Sequence, residues 1–366
     1  MKLRTVVVMV AAALLALAAA TWVTRSRAPE NAALQPGPLA PGLAKDLDQV
    51  TQVRIVGAGG ATLATISRGE SGWGVAERGN YRADTGKLRS LLQALAAAQR
   101  VEAKTSIEAK HALLGVEDVS GADAYGVRVD VQTPQRSYSW IIGNNLVRGN
   151  GTYVRQADQA QSWLINSNIA VERSPANWVV REIADIAAGS ITAIEVAPAK
   201  GETFALERRE DEPDSDFVFT RLPKGRLAGD GFHREALAGV LSGLVLEEVY
   251  PAAEQPEPEQ VQRTRFHLDD GRVVEVRSWP KDGHTLVALG QSLDEQQAEA
   301  WRARQAERAA DASSEAADDS PQAAPTDPAQ AVEAFRKEHA GWVYRLPSYK
   351  ATNLNRPFEE YLQPAK

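Results

Sequence analysis

The sequence contains no cysteine and only five histidines among its 366 residues. Without cysteine there is no disulfide framework, thiol catalysis, Cys-ligated zinc or iron–sulfur cluster. The histidines (His111, His233, His267, His284 and His339) are scattered and leave little room for a His-rich metal site. An excess of positive charge is also lacking. Lys and Arg total 41 against 48 Asp and Glu, and the net charge of -7 argues against wholesale nucleic-acid binding. Several catalytic signatures are missing as well. There is no H-E-x-x-H helix, no G-x-x-x-x-G-K-[ST] loop and no G-x-S-x-G elbow.

What remains is the composition of a globular protein, 43% apolar and 24% charged, with 27 Gly and 19 Pro. Collagen-like, coiled-coil and wholly disordered chains are excluded by it. At roughly 100–200 residues per domain the length allows two or three domains. One long apolar run, Thr5 to Val23, follows Lys2 and Arg4 and precedes Arg25 and Arg27. As a helix it would cover about 28 Å, close to one bilayer core. Residues 1–27 are therefore expected to form a single transmembrane anchor, with Trp22 at the interface. A cleaved signal peptide is the alternative, with Ala18-Ala19-Ala20 as its small-residue site. The flanking charges are balanced, and the short head suits retention inside while the long remainder is exported. No cysteine follows the run, so a lipid-modified anchor is excluded. Residues 28–45, rich in Pro, Ala and Gly, read as a semi-extended tether.

The exported part repeats itself. Thr62–Arg68 resembles Thr203–Arg209, and Val53 and Ile55 fall on Ile194 and Val196 at the same offset. Trp73 and Val75 match Phe217 and Phe219. Leu88, Leu91, Leu92, Leu95 and Ala96 correspond to Leu237, Val240, Leu241, Leu244 and Val245. Their i, i+3, i+4, i+7, i+8 spacing makes one apolar helix face. Val127, Val129 and Val131 alternate, as do Phe266 and Leu268; Ile141-Ile142-Gly143 resembles Ala288-Leu289-Gly290, and Trp163-Leu164-Ile165 resembles Trp342-Val343-Tyr344. Each half closes on an apolar-aromatic segment, Trp178 to Ile183 and Phe358 to Leu362.

Gly57 to Gly60 and Asp269-Asp270-Gly271 read as turns between strands, and Asn150-Gly151 as a positive-φ hairpin turn that also accounts for the sequon Asn150-Gly151-Thr152. The expected fold class is α+β: two tandem repeats, 46–187 and 188–366, each a mainly antiparallel β-sheet with one packed amphipathic helix. An acidic insertion, 292–340, interrupts the second. Its 11 acidic and 5 basic residues supply nearly all of the chain's net charge. Asp294 to Ala310 and Ala329 to His339 read as helices, and Asp311 to Pro328 as disordered.

Candidate chemistry is sparse. Gly57-Ala58-Gly59-Gly60 joins two strands and opens no helix, so it reads as a turn and not a phosphate cradle. His267 lies beside Asp269 and Asp270, and His111 near Lys104 and Lys110. The carboxylate pairs Glu117/Asp118 and Glu247/Glu248 are sequence neighbours, whereas acid/base hydrolysis needs carboxylates opposed across a cleft. No catalytic, cofactor or metal residue is assigned. Among the tryptophans, Trp73, Trp163 and Trp342 occupy repeat-matched positions and are expected in the core. Trp140 and Trp279, the latter before Pro280, are the candidate exposed partner contacts.

Pro41-Gly42-Leu43 leading into Val53-Arg54-Ile55, Gly72-Trp73-Gly74-Val75, Tyr81-Arg82-Ala83-Asp84, Lys104-Thr105, Leu114-Gly115-Val116-Glu117-Asp118 and the ending Trp342 to Lys350 carry a family resemblance. Over roughly residues 40 to 362 the chain resembles the bacterial DUF4340 family, whose pattern lacks the acidic insertion. The resemblance implies a membrane-anchored protein, often grouped with ABC-type transport components of the gliding-motility kind. The expectation is a non-enzymatic accessory protein, single-pass in the bacterial inner membrane with its bulk in the periplasm. Its partners would be integral membrane proteins such as ABC transporter permease subunits, with no cofactor and no nucleic acid. The alternative is a periplasmic cell-wall or polysaccharide binding module using exposed tryptophans. An envelope hydrolase working with carboxylates is a third reading.

Overall fold

The computed structural model describes residues 35–209, 217–314 and 326–364. The expected anchor, 1–27, lies outside the described residues, as does the tether up to residue 34. Among the described residues no helix is long and apolar enough to cross a membrane. The chain divides into two compact units. The first runs to Glu77 and continues over Ala83–Trp178; the second comprises Arg78–Arg82 and Val179–Lys366. The sequence reading places this divide at 187/188. Val180 and Arg181 already belong to the second unit, through Val180 N–H to Arg82 O at 3.1 Å and Leu246 N–H to Arg181 O at 2.8 Å.

The first unit is one sheet of antiparallel strands. They are β1 (Gly37–Pro38), β2 (Gln52–Val56), β3 (Thr62–Gly69), β4 (Gly72–Val75), β5 (Gln99–Ala103), β6 (Val127–Gln132), β7 (Ser137–Asn145), β8 (Thr152–Gln156) and β9 (Ser162–Ile165). Their spatial order is β1-β5-β9-β8-β7-β6-β2-β3-β4. Alternation decides which face is inside: Val53, Ile55, Ala64, Ile66, Val127, Val129 and Val131 are all buried. Between β4 and β5 lies α1 (Thr85–Ala97). Asp84 caps it, accepting the Lys87 N–H at 2.9 Å. The predicted leucines, Leu88, Leu91, Leu92 and Leu95, are its buried residues, each contributing about 1.5–3 kcal/mol by leaving water.

Part of the expected tether belongs to this unit. Gly37 and Pro38 pair with Arg100 and Gln99, and Leu39, Ala40 and Leu43 are buried. Three apolar side chains in five residues gain more from burial than an extended, solvated segment could. The turn residue before β8 is also corrected: Gly149, not Asn150-Gly151, takes positive φ, at 99°. Gly151 is instead held at the strand entry by its N–H to Asn168 Oδ1 at 2.7 Å.

The second unit contains β10 (Glu182–Ala184), β11 (Ile191–Ala197), β12 (Phe204–Glu207), β13 (Val218–Phe219), β14 (Leu244–Val245), β15 (Glu248–Pro251), β16 (Gln262–Leu268), β17 (Arg272–Lys281), β18 (His284–Leu293) and β19 (Trp342–Arg345). Its main sheet runs β13-β12-β11-β16-β17-β18-β19-β15, all antiparallel, and β10 pairs separately with β14. The helices are α2 (Phe232–Ala238), α3 (Glu295–Ser314), α4 (Pro328–His339) and α5 (Ser348–Leu354). The segment Arg78–Arg82 is tied in by a two-point ion pair, Arg78 Nε to Glu248 Oε1 at 2.5 Å and Nη2 to Oε2 at 2.7 Å. The Tyr81 ring packs edge-on against Trp342, with centroids 4.9 Å apart.

Three expectations change here. The second apolar helix is shorter than its leucine spacing suggests. After Ala238 the chain tightens into a 3-10 turn, Gly239–Leu241, and Gly243 at φ 53° releases Leu244 and Val245 into β14. Asp311 to Ser314, expected disordered, continue α3, and Pro328 opens α4. Residues 315–325 lie outside the described residues. Ile141-Ile142-Gly143 is in β7 while Ala288-Leu289-Gly290 is in β18, strands that hold different places in the two orders. The start of α3 is fixed by the β16–β17 turn. A Cβ on Gly271, at φ 86°, would stand 2.5 Å from Ala298 N, so only glycine lets the helix approach this closely.

Candidate functional site

Both tryptophans expected as exposed contacts are buried. Trp140 on β7 is 3% exposed and pairs across the sheet with Val129 and Gln156. Trp279 on β17 is 4% exposed and packs with Val261, Leu286, Ala288 and Val343. Its hairpin turns at Asp282-Gly283, with φ 51° and 76°, and that register points Trp279 inward despite the neighbouring proline. Neither indole is available to a partner.

The carboxylates singled out from the sequence are engaged in holding the fold. Glu117 Oε1 accepts the Tyr125 N–H at 2.6 Å. Asp118 Oδ1 accepts the Ser120 N–H at 2.9 Å, and that bond holds its carboxyl below the usual aspartate range. Glu247 Oε2 lies 3.4 Å from Arg345, and Glu248 carries the pair with Arg78. The histidines behave alike. His111 is buried with Nε2 2.8 Å from Ala160 O, and His267 faces Glu195 at 3.4 Å rather than Asp269 or Asp270. Among the described residues no group of three or more His, Asp or Glu could hold a metal ion.

Among the described residues, a feature that could take a ligand is a cleft of about 270 Å³ in the first unit, which the sequence reading did not anticipate. On β3 and β4 the inward face carries Ile66 opposite Val75, both fully buried. One step further along, the same face carries Arg68 opposite Trp73. There the sheet outruns its cover, so core gives way to cleft. Helix α1 forms the adjoining wall with two stripes at i, i+4 spacing: Leu88 and Leu92 toward the interior, and Thr85, Arg89 and Gln93 toward solvent. The turn Leu47–Gln49 and Val50 close the far side with Leu47, Asp48 and the buried Val50.

Trp73, expected in the core, is therefore only half-buried and forms part of a wall. Arg68, Arg89 and Asp48 are exposed, and none of their side chains has an ion pair or hydrogen bond among the described residues. The arrangement offers an aromatic surface, an apolar floor and a charge surplus of one cation. In the second unit Phe217, the sequence match to Trp73, is fully buried under the Arg208 guanidinium, 4.5 Å from its ring.

Residues 73–228 match the model of a family described as a domain of unknown function, DUF4340. The matched stretch starts in β4 of the first unit and ends just before α2 of the second. The resemblance drawn from the sequence thus holds over these residues, and Trp73, Thr85, Leu88, Arg89, Leu92 and Gln93 of the cleft fall within it. Comparison with curated proteins and with solved structures gives no match.

Proposed function

From the match of residues 73–228 to the DUF4340 family model, we propose that the protein is a non-enzymatic accessory protein of the bacterial envelope. In this reading residues 1–27 anchor it in the inner membrane and the two units stand in the periplasm. Its partner is an ABC-type transport complex, met through integral permease subunits. One observation carries the proposal: the acid–base candidates singled out from the sequence, Glu117, Asp118, Glu248 and His111, each engage a backbone N–H, a backbone carbonyl or an arginine. An enzyme keeps such groups facing its substrate.

The two units are, in this proposal, copies of one repeat. The order β5-β9-β8-β7-β6-β2-β3-β4 and the order β15-β19-β18-β17-β16-β11-β12-β13 agree strand by strand. A shared closing contact supports it. Asp84 N–H donates to Trp178 O at 2.7 Å, and Gly229 N–H donates to Tyr361 O at 2.8 Å, each just before the helix of its unit. A doubled sheet suits a spacer or scaffold. The test is affinity purification of the tagged full chain from native membranes in mild detergent, followed by mass spectrometry. Permease or ATPase subunits are expected to co-purify; recovery of the protein alone, anchor intact, would overturn this reading.

A second reading, binding of a wall polymer, is favoured by Trp73. It no longer uses Trp140 or Trp279, and places the polymer on the half-exposed indole of the first unit's cleft.

A further inference from the structure

We propose that the cleft beside Trp73 binds an acidic saccharide, with a sugar ring stacked on the indole and its carboxylate held by Arg68 and Arg89. The inference rests on the polymer-binding reading and gives it a site and a ligand class. Three observations select this chemistry. Trp73 is half-buried and lines the cleft, so its ring is held by the fold with part of its surface toward the cleft. A sugar ring presents an apolar C–H face suited to such a surface. Arg68 lies directly across the β3–β4 pair from Trp73, and Arg89 projects from the wall formed by α1. Two guanidinium groups without partners beside one aromatic surface make a receptor for a carboxylate next to a ring, since a planar fork matches a carboxylate at two points.

The remaining polar lining distinguishes a sugar from a simple aromatic acid. Asp48 is an acceptor with no cation of its own, and Gln93 and Thr85 add an amide and a hydroxyl. A purely aromatic carboxylate offers Asp48 no donor. A sugar acid has hydroxyls to donate to Asp48 and Gln93 while its carboxylate sits at the arginines. The volume of about 270 Å³ suits one or two sugar rings and not an extended chain buried along its length.

Two disaccharides that differ in one carboxylate test this. N-acetylglucosaminyl-N-acetylmuramic acid carries a lactyl carboxylate; N,N′-diacetylchitobiose does not. Titration calorimetry of the full chain in mild detergent should give binding of the acid at least about tenfold tighter than of the neutral sugar, the scale of one charge-assisted contact. The double variant Arg68→Ala/Arg89→Ala should erase that preference. Both arginines are exposed, so the variant is expected to fold, which circular dichroism checks. Equal binding of the two sugars, or a preference that survives the double variant, would overturn the inference. Sedimentation with purified peptidoglycan separates it from the reading beneath it. Wild type and variant that pellet alike, without preference for the acid, would remove this cleft and leave polymer binding in place. A wild type that neither pellets nor binds either sugar would remove both.

Discussion

Lowering the pH from 7 to 4 is expected to weaken the second unit through one buried side chain, His339. The residue is 3% exposed at the end of α4, with Nδ1 2.8 Å from the Tyr344 hydroxyl and its ring 4.2 Å from that of Phe335. Two charged groups face it. Glu338 lies 3.9 Å from Nε2, and Arg82 is ion-paired with that same carboxylate. Burial, opposed by Glu338 and reinforced by Arg82, lowers the His339 pKa from 6.5 to about 4. Between those values the unfolded chain binds the proton and the folded one does not. Stability contributed by the neutral ring is therefore present above the unfolded value and is lost as pH falls toward the folded one. A gap of about 2.5 pH units corresponds to at most about 3–4 kcal/mol at about 1.4 kcal/mol per unit. Urea unfolding of wild type and His339→Gln at pH 7, 5.5 and 4.5 isolates the effect, because the carboxylates that titrate elsewhere are common to both. Wild-type stability should fall relative to the variant across that range. A difference that stays constant with pH would refute the argument.

Trp279→Ala should cost about 3–5 kcal/mol, because it empties a packed cluster with Leu286 and Val343. The fall in the urea midpoint reads this directly, and a change near zero would mean the indole is a surface group after all. Lys350→Met should cost about 1–3 kcal/mol, since Lys350 Nζ donates to Gly239 O at 2.8 Å and Ser242 O at 2.7 Å, and the variant leaves both carbonyls without that donor. The thermal midpoint checks it, with Lys350→Arg expected to retain part of the loss.

Periodicity alone determined much of this molecule. The leucine spacing from Leu88 to Leu95 defines α1 because a 3.6-residue period admits one buried face. Alternation at Val127, Val129 and Val131 defines β6 for the matching reason. Asp269-Asp270-Gly271 marks a turn because its chemistry is a local property of backbone and side chain. The segment matching was less dependable: the Ile141 and Ala288 segments, paired in the sequence, fall on strands that hold different places in the two sheet orders.

What the tertiary structure alone decided concerns exposure and assembly. Trp140 and Trp279 look like contact residues until register turns them inward; a one-residue slip would reverse that, and no local signal except the Asp282-Gly283 turn fixes it. Leu244 and Val245 continue a helical pattern, yet pairing with β10 recruits them to a strand. The cleft was hidden for the same reason. Arg68 and Trp73 are close in sequence, but Asp48, Arg89 and Gln93 join them only when the Leu47–Gln49 turn and α1 are brought against that edge of the sheet. Sequence determines which face each element buries. Which residues are left at the boundary, where one element extends past its cover, is set by how the elements end against one another.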